Sequence, residues 1–260
     1  MDFGVTMFAT DQVMRPDELA RAAEERGFVS LYVPEHTHIP VSRRTAPPSG
    51  DAVLPDYYKR AFDPFVAMAM AATATERLRV GTGICLVAQR DPIVTAKAVA
   101  SLDCLSGGRF VFGVGFGWNA DEIEDHGVEM RSRRDVAREH VHLPPSWSWP
   151  KPTQKPWPPV LVGGAAGPTL FAHVAEYGDG WIPIGGAGAR EALPQLHRAV
   201  EAAGRDPATV RVIPFGTIPD AGKLDYYASI GIDEVVLRVP AGDRDAVVPV
   251  LDDYSKLVEA

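Results

Sequence analysis

Short apolar runs alternate with longer amphipathic segments along almost the whole chain. The runs are typical of buried strands and occupy residues 3–7, 31–33, 78–84, 110–114, 160–162, 181–184, 210–215 and 234–239. The amphipathic segments are predicted helices and occupy residues 16–26, 63–74, 92–105, 131–141, 168–177, 189–203, 221–230 and 243–258. A strand, a helix and a second strand at this spacing form a βαβ unit, whose two strands are parallel.

Repeated βαβ units in 260 residues predict an α/β fold, a (β/α)8 TIM barrel in a single domain over residues 1–260. An open doubly wound sheet would use fewer strands and carry its glycine fingerprint after the first one. Two insertions, at about residues 36–62 and 142–159, interrupt the alternation. We expect both at the carboxyl-terminal side of the barrel, as lids or binding loops.

Composition narrows the function classes. The chain is 46% hydrophobic, enough for a sizeable core, and its net charge of −8 makes it a poor partner for nucleic acid. Cys85 and Cys104 lack metal-ligand spacing, so neither a metal site nor a disulfide framework is expected. We see no signal peptide or membrane-spanning run, and we expect a cytoplasmic protein with a small-molecule substrate and no membrane partner.

Small residues cluster where the predicted strands end. Residues 81–83 and 113–117 carry glycines that expose main-chain amides to a ligand. A longer run stands before the helix at 168–177 and consists of Gly163, Gly164, Ala165, Ala166 and Gly167. Exposed amides at a helix amino terminus favour an anion, so this run predicts a phosphate site. A tight βα turn is the alternative, and the glycines at 185, 186 and 188 extend the candidate cradle.

His36 follows the second predicted strand and is the candidate catalytic residue. A histidine holds or moves a proton near neutral pH, although a loop histidine also serves by bonding a backbone carbonyl. His38 offers the same chemistry two residues later. Glu35 either orients His36 or forms a structural pair, and the sequence leaves both readings open.

Several motifs carry a family resemblance over nearly the whole chain. They are EH at 35–36, GTGI at 81–84, LSGGR at 105–109, GVGFGWN at 113–119, PVLVGGAAG at 159–167 and EYGDGW at 176–181. In this order they resemble the luciferase-like monooxygenase superfamily and, within it, the actinobacterial F420-dependent oxidoreductases. The resemblance implies a barrel enzyme, a homodimer, that transfers a hydride between coenzyme F420 and a small organic substrate.

The resemblance also assigns roles to the candidate residues. It implies that His36 faces the coenzyme ring, that Gly83 and Ile84 form a non-prolyl cis peptide behind the ring, and that the 163–167 run holds a phosphate of F420 or FMN. A plain barrel strand at 83–84 is the alternative. Trp118 stands where some sugar-phosphate dehydrogenases of the family carry a glutamate donor. A sugar phosphate is therefore not expected, and Trp118 packs on the ring or lines the substrate pocket.

F420 is the preferred cofactor and FMN is the alternative. The loop at 43–48 resembles the F420 branch, and Arg43, Arg44 and Lys59 are candidates to meet the acidic tail of F420. An FMN-dependent monooxygenase and a catalytically silent deazaflavin-binding protein remain alternative functions. The acidic residues at 121, 122 and 124 are expected to form a solvated helix start. The short helix at 131–141 suggests that a segment present in relatives is absent between Val141 and His142.

Overall fold

Strands and helices alternate along the chain in the computed structural model, which describes residues 1–41, 44–47, 53–143, 146–186 and 188–258. The strands are β1 (Asp2–Thr6), β2 (Ser30–Val33), β3 (Arg79–Thr82), β4 (Cys85–Leu86), β5 (Phe110–Gly115), β6 (Val160–Gly163), β7 (Gly180–Ile182), β8 (Arg211–Val212), β9 (Phe215–Thr217) and β10 (Glu234–Arg238). The α-helices are α1 (Pro16–Glu25), α2 (Pro64–Thr73), α3 (Pro92–Leu105), α4 (Ala120–Asp125), α5 (Arg133–Glu139), α6 (Pro168–Tyr177), α7 (Ala189–Ala202), α8 (Ala221–Ser229) and α9 (Arg244–Val258). These elements confirm the predicted α/β class.

The strands form one parallel sheet. Their order is β8-β7-β6-β5-β3-β2-β1-β10-β9, with β4 paired to β5, and every pairing between them is parallel. Since parallel strands share a direction, all their carboxyl ends lie at one edge, which we call the rim. The loops that carry the candidate residues therefore converge at the rim.

Two predicted strands have different bounds in the structure. The run at 78–84 becomes β3, and the short β4 follows it beyond a cis peptide between Gly83 and Ile84. The run at 210–215 becomes β8 and β9, because Pro214 between them has no amide hydrogen for the ladder. Ile213 still donates to the Trp181 carbonyl at 2.9 Å, and the Val236 amide donates to the Pro214 carbonyl at 2.9 Å.

The two faces of the sheet bury different residues. Leu31 and Val235 point toward α1, α2 and α9, within the largest apolar cluster. Their neighbours Tyr32 and Val236 point to the opposite face, because successive side chains alternate along a strand. There they form a second cluster with the strand residues Val111, Leu161, Ile182 and Phe215 and with Ile213, which lies between β8 and β9. Strand ends thus sit on a rigid layer of packed side chains.

We predicted that the second insertion lies at the rim, and for part of it this prediction was wrong. Gln154 donates through its backbone amide to Asp103 at 2.9 Å and through its side chain to the Phe110 carbonyl at 2.7 Å. Phe110 is the first residue of β5, so this part of the insertion lies at the edge opposite the rim. The reason is topological, because the chain must return there to begin β6 in the same direction.

Candidate functional site

Every strand end that the sequence singled out reaches the rim. His36 lies three residues after β2, the Gly83–Ile84 peptide lies between β3 and β4, and Trp118 lies three residues after β5. The 163–167 loop joins β6 to α6. The Gly83–Ile84 peptide is cis, as the family resemblance implied. The alternative, a plain barrel strand at 83–84, was wrong.

Ile84 explains two of the glycines. A β-carbon on Gly115 would lie 1.8 Å from Cδ1 of Ile84, and one on Gly163 would lie 2.9 Å from its Cγ2. The Ile84 side chain therefore occupies space that these two glycines leave free. A β-carbon on Gly83 would lie 2.3 Å from Cζ of Phe215. Gly83 and Gly163 thus have packing reasons to be glycine in addition to any contact with a ligand.

His36 is buried and is held by a carboxylate that the sequence did not reveal. Its Nδ1 lies 2.7 Å from Oε2 of Glu122, and the Thr37 amide donates to Oε1 of Glu122 at 3.2 Å. Glu122 belongs to α4 and is 1% exposed, so the prediction of a solvated residue at 122 was wrong. The neighbouring Ile123 is also buried and draws the first turn of α4 inward. The apolar Ile123 was the sequence signal that this turn faces inward, and it did not distinguish Glu122 from Glu124.

Glu35 forms a structural pair, which decides between the two readings of this residue. Its carboxylate accepts from the Leu86 amide at 2.6 Å and from Nε of Arg90 at 2.6 Å. Arg90 also reaches Asp63 at 2.6 Å and lies over the Phe65 ring. Glu35 therefore ties the end of β2 to the segment after β4. Burial and the Glu35 charge together raise the pKa of the Cys85 thiol well above its ordinary value.

His38 lies outside the buried part of the site. Its Nε2 is 3.0 Å from Oδ2 of Asp125, and its side chain is 41% exposed. Thr37 links it to His126, since the Thr37 hydroxyl lies 2.7 Å from Nε2 of that residue. His38 therefore occupies the solvent side of the rim, and His36 the inner side.

Aromatic rings surround His36. Its ring centroid lies 5.1 Å from that of Tyr58, 5.7 Å from that of Trp118 and 6.5 Å from that of Phe8, whose ring is parallel. Tyr57 packs on Phe8 at 4.7 Å. We call Phe8, Tyr57, Tyr58 and Trp118 the aromatic wall. All four are partly exposed, so the wall gives His36 an apolar surround with flat surfaces that remain open to a ligand.

The 163–167 loop is open on its outer side. Ala165 and Ala166 are exposed, and a β-carbon on Gly167 would meet nothing within 4 Å. The indole of Trp181 holds the base of the loop by donating to the Gly164 carbonyl at 2.9 Å. No side chain caps the amino terminus of α6. These features suit an anion, because uncapped amides at a helix start attract negative charge.

The neighbouring glycines at 185–188 have a structural explanation in part. A β-carbon on Gly186 would lie 2.6 Å from the Tyr227 hydroxyl. That hydroxyl donates to the Gly185 carbonyl at 2.6 Å. Tyr227 therefore fixes the turn at Gly185 and Gly186. These two residues have a structural role, so they are weaker candidates for binding a phosphate than the 163–167 loop.

Buried polar side chains at the rim, Asn119 and Thr6 among them, lack hydrogen-bond partners among the described residues. Asn119 is 1% exposed, and both its Oδ1 and its Nδ2 lack a hydrogen-bond partner among the described residues. The same holds for Oγ1 of Thr6, the last residue of β1. An unpaired buried polar group costs about 1–3 kcal/mol, so Asn119 and Thr6 are candidates to bind a ligand. The sequence did not single out either residue.

The cations proposed for an acidic tail have carboxylate partners within the chain. Arg44 reaches Asp121 at 2.8 Å and also pairs with Glu124, and Lys59 lies 2.5 Å from Asp56. Hydrogen bonds from the backbone amide and the guanidinium of Arg44 lower the pKa of Asp121. The Arg44 pairs attach the first insertion to α4, whereas the Lys59 pair lies within the insertion. Arg43 lies outside the described residues.

The described residues give no sign of a metal centre, and they include no helix that is long and apolar enough to span a membrane. The LSGGR motif at 105–109 serves the fold. Its Arg109 donates to the carbonyls of Ala72, Thr75, Leu78 and Ser106, far from the rim.

The chain is similar in sequence to known proteins. An uncharacterized protein of Mycobacterium tuberculosis, Rv0953c, is 41% identical over 281 aligned positions, which cover 100% of this chain and 96% of the relative. An F420-dependent hydroxymycolic acid dehydrogenase of the same organism is 26% identical over 90% of this chain and 65% of its own. The first alignment has 281 positions for 260 residues, so at least 21 positions have no residue in this chain.

Solved structures of known proteins have a similar fold. The F420-dependent tetrahydromethanopterin reductase of Methanopyrus kandleri superposes with a TM-score of 0.72 at 16% identity, over 98% of this chain and 97% of its own. An FMN complex of a Baeyer-Villiger monooxygenase component from Pseudomonas putida gives a TM-score of 0.62 at 17% identity, over 82% and 66%. Relatives of this fold thus use F420 or FMN. The model of the luciferase-like monooxygenase family matches residues 9–218, and the chain belongs to this family.

Proposed function

We propose that the protein is an F420-dependent oxidoreductase that transfers a hydride between the deazaflavin and a small organic substrate. The observation that carries the proposal is the placement of buried His36 inside the aromatic wall, at the rim that also holds the Gly83–Ile84 cis peptide. F420 enzymes among the relatives support this cofactor over FMN.

We infer that the sheet closes into a (β/α)8 barrel within a single domain. The support is the segment 211–217, which supplies both ends of the strand order. Its first part pairs with β7 and its second with β10, and an isolated bridge joins Ile184 to Phe215. The apolar cluster around Tyr32 and Val236 then fills the interior of the barrel.

The rim fits a deazaflavin or flavin. Ala165, Ala166 and Gly167 offer amides and the start of α6 to a phosphate, in an open loop. Asn119 has an unpaired donor beside an unpaired acceptor, which matches the imide edge of either ring. The aromatic wall offers flat apolar surface and limits the access of water.

The coenzyme supplies the hydride chemistry when it is bound, and the chain supplies orientation and proton transfer. Nδ1 of His36 is engaged by the Glu122 carboxylate at 2.7 Å, so Nε2 is the ring nitrogen left for the coenzyme and substrate. His36 then accepts or returns a proton at Nε2 as the substrate is oxidised or reduced.

The cofactor assignment is tested by titrating the purified protein with F420 and, separately, with FMN, following fluorescence quenching. We expect F420 to bind more tightly. Micromolar binding of FMN without an F420 signal would favour the FMN-dependent monooxygenase. Binding of F420 without turnover of any alcohol or carbonyl compound tried would favour the silent deazaflavin-binding protein.

The same titration tests whether the 163–167 loop binds a phosphate of the coenzyme. Ala166→Asp places a negative charge where the anion is proposed, at an exposed position with ordinary backbone geometry. We expect F420 affinity to fall on the order of tenfold to a hundredfold, because like charges in contact cost several kcal/mol. Ala166→Ser is the matched control and should bind F420 as the unaltered protein does. Equal affinity in both variants would place the phosphate elsewhere.

We also propose that two copies of the chain associate through the outer faces of α2 and α3. Helix α2 contains no charged residue, yet Val66 is 69% exposed on it. On α3, Ile93 is 67% and Leu105 is 82% exposed. A helix that is apolar all round is normally covered. A nearly uncharged face meets a copy of itself without repulsion, as a twofold contact requires.

Analytical ultracentrifugation measures the mass of the protein in solution and so distinguishes a monomer from a dimer. A dimer of the 28.1 kDa chain is expected at micromolar concentration. Val66→Glu combined with Ile93→Glu should give a monomer, since the contact would bury four unpaired charges. Val53→Glu, at a site that is 80% exposed outside this face, should leave the dimer intact. A monomeric unaltered protein contradicts the proposal.

A further inference from the structure

We propose that Glu122 is a positioning residue that fixes which nitrogen of His36 carries the proton. The inference rests on the proposed function for its consequence in turnover, but the proton assignment itself is a property of the chain. It follows from the short contact between Glu122 and Nδ1 of His36 and from the burial of both residues.

The two oxygens of Glu122 have separate tasks. Oε2 lies 2.7 Å from Nδ1 of His36, while Oε1 accepts from the Thr37 amide at 3.2 Å. A carboxylate only accepts hydrogen bonds, so Nδ1 must be the donor. The neutral ring therefore keeps its hydrogen on Nδ1 and leaves a lone pair on Nε2. Glu122 therefore holds both the His36 ring and the backbone amide of the next residue, Thr37.

Other carboxylates of α4 are bound elsewhere. Asp121 and Glu124 pair with Arg44, and Asp125 lies against His38. Within α4, whose residues are all described, Glu122 is the carboxylate that contacts the His36 ring. The acidic sequence of α4 thus divides into one buried carboxylate that serves His36 and several exposed ones that hold the first insertion on the rim.

Glu122→Gln separates this role from simple packing. The Thr37 amide still needs an acceptor, so the introduced carbonyl oxygen should remain there and the introduced NH2 group should face Nδ1 of His36. Nδ1 then becomes an acceptor, and the neutral ring must move its hydrogen to Nε2. Shape and volume are nearly unchanged, so the fold should survive.

The decisive measurement is 15N NMR of histidine-labelled protein at an alkaline pH where imidazole is neutral. The chain has 7 histidines, and the spectrum of His36→Gln identifies the His36 signals. We expect the Nδ1–H form in the unaltered protein and the Nε2–H form in Glu122→Gln. Asp121→Asn, on the same helix, should leave the Nδ1–H form unchanged. An Nε2–H form in the unaltered protein, or no change in Glu122→Gln, would overturn the proposal.

Addition of F420 to the same samples separates this proposal from the proposed function. If the tautomers are as expected and F420 shifts the His36 signals, both stand. If the tautomers are as expected but neither F420 nor FMN shifts them, the assignment to Glu122 holds and the proposed function fails. With a turnover assay, Glu122→Gln should lower kcat by about 10²-fold or more with little change in F420 affinity, because the wrong tautomer cannot accept a proton at Nε2.

Discussion

His36→Ala should lower turnover by about 10²–10⁴-fold, the usual contribution of a general acid or base. The loss is expected in kcat, because His36 is proposed to act at Nε2 during the reaction. F420 affinity should change much less, since the 163–167 loop and Asn119, which are proposed to bind the coenzyme, remain. The absorbance of F420, followed with the first alcohol or carbonyl compound that is turned over, provides the measurement.

His38→Ala is the matched control for this experiment. It removes the same side chain two positions later, from an exposed site paired with Asp125. We expect nearly unchanged turnover. If His38→Ala loses activity and His36→Ala keeps it, the catalytic role belongs to His38. Circular dichroism must show a native fold in both variants, because the His36 side chain is buried.

Arg109→Met should lower the free energy of unfolding by about 1–3 kcal/mol, the usual cost of leaving buried backbone acceptors without their donor. The guanidinium donates to the carbonyls of Ala72, Thr75 and Leu78 at 2.7–3.1 Å and to that of Ser106 at 2.8 Å. It thereby joins the end of α2, the start of β3 and the turn before β5. Removal leaves several carbonyls without their donor.

Urea unfolding followed by circular dichroism checks this expectation through the midpoint and slope of the transition. Arg131→Met is the control, since the Arg131 side chain is 86% exposed and should matter by less than about 0.5 kcal/mol. Arg109→Lys should fall between the two, because an ammonium cannot reach all the carbonyls. A loss below about 1 kcal/mol for Arg109→Met would mean that water replaces the guanidinium at this edge.

Some site features could be predicted because they depend on local sequence and on the direction of the chain. The 163–167 run precedes a helix, so its open amides follow from small residues at a helix start. His36 comes directly after a strand, and parallel strands bring such positions to one rim. The Gly83–Ile84 peptide was expected from the family resemblance, since no periodicity indicates a cis bond.

Other features depended on pairs that are distant in the chain. His36 and Glu122 are 86 residues apart, and Glu35 and Arg90 are 55 apart. The acidic run at 121–125 gave no means to choose the inward carboxylate, because α4 has only 6 residues and shows no full amphipathic period. For the same reason the sequence could not show that Arg44 has partners on α4.

The sequence by itself therefore determined the order and type of the elements, the shared direction of the strands and the chemistry available at their ends. These follow from periodicity and from the short connections of βαβ units, which act over a few residues. Tertiary structure decided which carboxylate holds His36, that Glu35 is structural and that part of the second insertion lies opposite the rim. Those outcomes depend on how packed strands and helices bring distant side chains within hydrogen-bond distance, and only the folded chain fixes that geometry.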